Sequence, residues 1–179
     1  MKNIALLIFI LSIFSCSKRK LQNDDTCSNY VKGDVVVGIR NTASIEEVFS
    51  LFYKLNLQID QMGGFFYTSS YPQDSLTSLI TYLNTKSYIN TRSFSASAYV
   101  HYQTGIINVV TFFFNMNTIN QQDWIRTEET LKLADTKGVT KNIVLKVPIG
   151  QEKYWLNKLK ENSIITWTEL NCIGQFQPI

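Results

Sequence analysis

At 179 residues the chain is long enough to bury one large core or two small ones. Its 17 basic residues against 14 acidic ones leave a formal net charge of +3, too small to make a general case for nucleic acid or for a strongly acidic partner. A single histidine cannot itself assemble a metal cluster, and no His/Cys spacing resembles a zinc site.

The N-terminus reads as an address. After Lys2, residues 4–14 are apolar except for Ser12, too short a run to span a bilayer core of ~30 Å but proportioned like the core of a signal peptide. Ile13, Phe14, Ser15 and Cys16 resemble a bacterial lipoprotein signal. That resemblance implies removal of residues 1–15, lipidation of Cys16, and a membrane partner reached through the lipid anchor, which places the chain in a bacterial cell envelope, periplasmic or surface. A plain secretory signal cut near Ser15, or an uncleaved anchor, are the alternatives. Residues 16–32, with Lys18, Arg19 and Lys20 ahead of Asn23, Asp24 and Asp25, read as a solvated tether. Cys27 and Cys172 then flank the folded region and form either a disulfide in an oxidising compartment or two free thiols.

From Gly33 the pattern becomes regular. Val35, Val36, Val37 and Ile39 predict a strand buried on both faces. Ser44 and Glu47 fit a capping box for a helix carrying Ile45, Val48, Phe49, Phe52 and Leu55 on one side. Residues 57–61 and 65–71 read as two strands of a hairpin turning at Gly63 and Gly64, with Pro72 ending the second. Asp74 is expected to cap a helix bearing Leu76, Leu79, Ile80 and Leu83, and residues 88–90 to begin another strand.

Residues 93–102 and 106–114 predict a second hairpin turning at Gln103, Thr104 and Gly105. Phe112, Phe113 and Phe114 put rings on both faces of their strand, which suits a central strand covered on both sides; a partner-binding aromatic patch is the sharper alternative. A helix capped by Thr118 or Asn120 follows, with Trp124, Ile125, Leu131 and Ala134 facing inward and Glu128 where the first unit has Phe52. Lys137 and Gly138 mark a turn, residues 142–147 a strand, residues 150–162 a helix with Trp155, Leu156 and Leu159 inside and Lys153 and Lys160 outside, and residues 164–170 the last strand.

The chain is self-similar. A displacement from Pro148 to Pro72 also lays Trp155 on Leu79, Leu156 on Ile80, Leu159 on Leu83 and Ile165 on Ile89 without a gap. The expected fold class is therefore α+β: two ferredoxin-like β-α-β-β-α-β units, residues 33–103 and 104–179, with antiparallel sheets, helices on one face and a core in each. Within the second unit, residues 144–148, 153–162 and 165–169 resemble the second half of a subtilisin propeptide or its free-standing inhibitor relatives. That family packs its sheet on the protease and runs the residues after the last strand into the substrate groove. The resemblance implies a serine protease as partner and Ile173, Gly174, Gln175, Phe176, Gln177, Pro178 and Ile179 as the tail that meets it.

Catalytic signals are missing. His101 sits beside Tyr102 without an oriented nucleophile or a marked partner, so a half-buried strand histidine is the expectation. Glu46, Glu47, Asp123, Glu128 and Glu129 fall at helix starts or outer faces, and Gly63 and Gly64 lack the Lys and Ser or Thr of a phosphate loop. The expectation is a non-enzymatic, membrane-tethered interaction or structural lipoprotein with no cofactor, no small-molecule substrate and no nucleic acid; the alternative is an inhibitor or folding assistant of an exported subtilisin-like protease.

Overall fold

The computed structural model describes residues 29–173, as a seven-stranded antiparallel sheet with four helices. The order is β1 (Tyr30–Ile39), α1 (Ile45–Lys54), β2 (Gln58–Ser69), α2 (Leu76–Leu83), β3 (Ser97–Val100), β4 (Ile107–Met116), α3 (Thr118–Thr130), β5 (Leu133–Asp135), β6 (Lys141–Lys146), α4 (Glu152–Lys160) and β7 (Ile165–Cys172). Across the sheet the strands run β3-β4-β2-β6-β1-β7, and β5 pairs with β2 beyond the end of β6. The α+β class stands. Both predicted units contribute to this one sheet, because β6 lies between β1 and β2 and β7 lies outside β1.

Strand alternation explains the layers. Val35, Val37 and Ile39 of β1, Ile59, Met62, Phe65 and Tyr67 of β2, Ile107, Val109 and Phe113 of β4, and Ile143 and Leu145 of β6 share one side. They form a single buried cluster with Val48, Phe49 and Phe52 of α1, Leu79 and Leu83 of α2, Trp124 of α3, and Trp155 and Leu159 of α4. All four helices therefore cover the same face, and there is one core rather than the expected two. Ile80 and Leu156, expected inside, are only half-buried.

Several boundaries differ from the sequence expectation for identifiable reasons. The Ser44–Glu47 capping box is present, with Glu47 N–H donating to Ser44 Oγ at 3.2 Å and Ser44 N–H to Glu47 Oε2 at 2.8 Å. The hairpin at Gly63 and Gly64 is absent: β2 passes straight through, bonded to β4 on one side and β6 on the other. Gly64 has φ 78°, and a Cβ there would lie 2.1 Å from Thr140 O, so the glycine pair makes a bulge inside a strand instead of a turn.

Asp74 caps nothing; it lies in a single 3-10 turn, and α2 begins without a side-chain cap. Residues 88–90 are not a strand, although Phe114 N–H donates to Tyr88 O at 2.8 Å along the same sheet edge. The cap of α3 is Asn117, whose Oδ1 accepts from Asn120 N–H at 3.0 Å, and neither Thr118 nor Asn120. Ala134 belongs to β5, a three-residue strand the sequence pattern did not mark.

Candidate functional site

Among the described residues no helix covers the second face of the sheet. Its side chains are the other half of each alternation: Val36 and Gly38 of β1, Asn142 and Val144 of β6, Gln61, Gly63 and Phe66 of β2, Val110, Phe112 and Phe114 of β4, and Trp167 and Glu169 of β7. Register sets them in rows. Trp167 pairs with Gly38, Gly38 with Asn142, and Asn142 with Gly63.

Two glycines shape that row because each makes room for an aromatic ring. A Cβ on Gly38 would lie 2.1 Å from Trp167 Nε1, so the indole rests on bare backbone. A Cβ on Gly63 would lie 2.9 Å from Phe112 Cε1. Phe94, from the segment before β3, folds onto the same side and meets Phe112 and Phe114 at centroid separations of 5.0 and 5.5 Å. Gln61, Gly63, Phe66, Phe94, Phe112, Phe114, Asn142 and Val144 bound a shallow cleft of about 440 Å³. Phe94 and Phe112 are 44% and 41% exposed, high for aromatic rings already packed on one another. β4 is thus covered on one side only: Phe113 is buried under the helices while its two neighbours face outward. That corrects the expectation of a strand covered on both sides.

The polar end of this face is closed. Asp34, 4% exposed, accepts from Lys146 Nζ at 2.8 Å and Asn171 Nδ2 at 2.9 Å, and Lys146 also reaches Asp60 at 3.2 Å. The hydrogen bond to Asp34 holds the Lys146 ammonium above its ordinary range.

Beneath the sheet lies a second group of charges. Trp124 Nε1–H donates to Glu128 Oε1 at 2.9 Å and to Tyr67 Oη at 3.2 Å. Burial pushes the Glu128 carboxyl up to about 7, against the hydrogen bonds from Tyr67 and Trp124, and the nearby Glu46 and Asp135 add to the rise. Burial also raises the Tyr67 phenol. Lys141 is fully buried, donates to Ala43 O at 3.0 Å, is ion-paired with Asp135, and lies over the Phe65 ring at 5.1 Å. These groups tie the segment before α1, α3, β5 and β6 together around β2.

Of the residues singled out from sequence, Cys16, Cys27 and residues 174–179 lie outside the described residues. Ile173 is half-exposed just beyond β7, and its N–H donates to Asn29 O at 3.0 Å. Cys172 is disulfide-bonded, and its position on β7 pairs with Tyr30 on β1. His101 lies just after β3 and stacks on Tyr102 at 5.4 Å. Among the described residues no three His, Cys, Asp or Glu side chains come together as a metal site, and no helix is long and apolar enough to cross a membrane. Sequence reasoning missed Phe94, Trp167 and the two glycines beneath the rings; glycine inside an otherwise β-branched strand was the available signal.

Comparison with protein-family models, with curated proteins and with solved structures returned no match to this chain.

Proposed function

We propose that this protein is a lipid-anchored envelope component that binds another protein through its helix-free sheet face. One observation carries the reading: Phe94, Phe112 and Phe114 form a continuous aromatic surface beside the bare backbone of Gly63, on the side of the sheet that none of the helices among the described residues covers. Exposed contiguous apolar surface rimmed by polar side chains, here Gln61 and Asn142, is the usual mark of a protein interface. The ion pairs at the Asp34 end are internally satisfied and leave the aromatic end as the adhesive part. Capture of partners from envelope extracts by the full chain and by Phe112→Ser tests this. Loss of the captured protein in the variant supports the reading, and an unchanged partner set overturns it.

The anchor at Cys16 and a Cys27–Cys172 disulfide belong to the same proposal. The pairing of Tyr30 with Cys172 and of Asn29 with Ile173 brings the chain just after Cys27 alongside the end of β7, which supports that bond. Fatty-acid labelling that persists in Cys16→Ala removes the anchor.

A second reading is favoured by strand order. The set β1, α1, β2, β6, α4, β7 runs β7-β1-β6-β2 across the sheet, the order of a ferredoxin-like unit interrupted between β2 and β6. The set β2, α2, β3, β4, α3, β5 runs β3-β4-β2-β5, so the two units are read as nested around a shared β2 instead of following one another. A helix-free face and a tail leaving β7 are the parts that the subtilisin-propeptide resemblance requires. Inhibition of a subtilisin-like protease that disappears on deletion of residues 174–179 supports this reading.

A further inference from the structure

A second cleft lies on the helix side, where the C-terminal end of α1 meets the N-terminal end of α3 over the paired ends of β2 and β4. It measures about 410 Å³. Its floor is apolar, with Phe52 and Met116 fully buried and Leu57 nearly so. Its walls are Asn56, Gln58, Asn117, Thr118 and Gln121, with Tyr53 beside them at 72% exposure, and no acidic or basic side chain lines it.

The hydrogen-bonding capacity of these amides is only partly used. Gln58 Nε2 donates to Asn115 Oδ1, Gln121 Nε2 donates to Met116 O, and Asn117 Oδ1 caps α3. That leaves Oε1 of Gln58 and Gln121, Nδ2 of Asn117 and the whole Asn56 amide without a protein partner among the described residues, so the cleft presents both acceptors and donors. Asn56 is held in place by its backbone, at φ 54°, in the left-handed region that asparagine tolerates better than most side chains.

We propose that this cleft binds a neutral saccharide. Hydroxyl groups both donate and accept, as the free amide atoms require, and the C–H face of a pyranose ring packs on an exposed aromatic ring such as Tyr53. The absence of charge in the lining disfavours phosphate and carboxylate ligands, which would be desolvated there without a counter-charge. An added peptide strand finds no free edge on β2, which is paired with β4 and β6 at this end.

The test is saturation-transfer NMR on the full chain with maltotriose and tri-N-acetylglucosamine as probes, followed by calorimetry. Binding of at least one sugar with Kd below about 10 mM is expected, weakened about tenfold or more by Tyr53→Ala and by Asn56→Gly, the latter keeping the backbone conformation while removing the amide. Phe112→Ser, on the opposite face, should leave sugar affinity unchanged, so this site and the protein-docking face fail independently. No saturation transfer to either sugar, or affinity unaffected by both cleft variants, overturns the proposal, as does capture of a short peptide in place of the sugars.

Discussion

Along β4 the chain alternates between two environments. Ile107, Val109, Phe113 and Met116 are closed beneath the helices, whereas Val110, Phe112 and Phe114 look out from a face that no helix of the described residues touches. Hydrophobicity does not separate the two sets; the rings at 112 and 114 are as apolar as the ring at 113. What separates them is the supply of covering elements, since every helix in the described chain lands on one side. The covered face even accommodates charge, in Lys141 and Glu128, because Ala43 ahead of α1, Trp124 of α3 and Asp135 of β5 bring partners to it. The open face places its charges at one end and leaves aromatic rings half-exposed. The covered side is accordingly read as fold and the open side as contact.

The largest effects should come from the covered face. Trp124→Ala removes a fully buried ring together with its hydrogen bonds to Glu128 and Tyr67, so a loss of about 3–5 kcal/mol is expected in denaturant unfolding. A loss below about 1 kcal/mol would show that this side of the sheet is not the core.

Lys141→Met should cost nearly as much, about 3 kcal/mol, because Asp135 keeps its charge beside Glu128 without the ammonium that offsets it. Replacing both members, in Lys141→Met with Asp135→Leu, should recover most of that loss. Failure of the double variant to recover would assign the cost to the bond with Ala43 O or to packing on Phe65.

A pH profile sharpens the comparison further. With the Glu128 carboxyl up at about 7, the folded protein keeps a proton that the unfolded chain loses near its ordinary 4.5. The stability contributed is fully present below pH 4.5, falls as pH rises, and is gone above about 7. Glu128→Gln, neutral throughout, should therefore gain on the parent protein across that interval and hold a constant advantage above it. Parallel profiles for the two proteins would place Glu128 in water.

The smallest stability effect belongs to the open face. Phe112→Ser should change unfolding free energy by about 1 kcal/mol or less, since the ring is already 41% exposed, while removing partner capture. A large loss of stability there would mean that the open face is also structural.

Local patterns determined a good part of this molecule. The capping box at Ser44, the helix faces of Val48 and Phe52 or Leu79 and Leu83, and the strands around Val35–Val37 and Ile143–Leu145 follow from side-chain period and short-range hydrogen bonds, which act within a few residues. Tertiary structure decided the rest. Whether Gly63 and Gly64 turn the chain or bulge it depends on β4 and β6 arriving from positions more than forty residues away. Whether Phe112 is core or surface depends on which side the helices land, and the partners of Lys141 and Glu128 come from the segment before α1, from α3 and from β5. Alternation states that a strand has two faces; only the packing of distant elements chooses which face is covered.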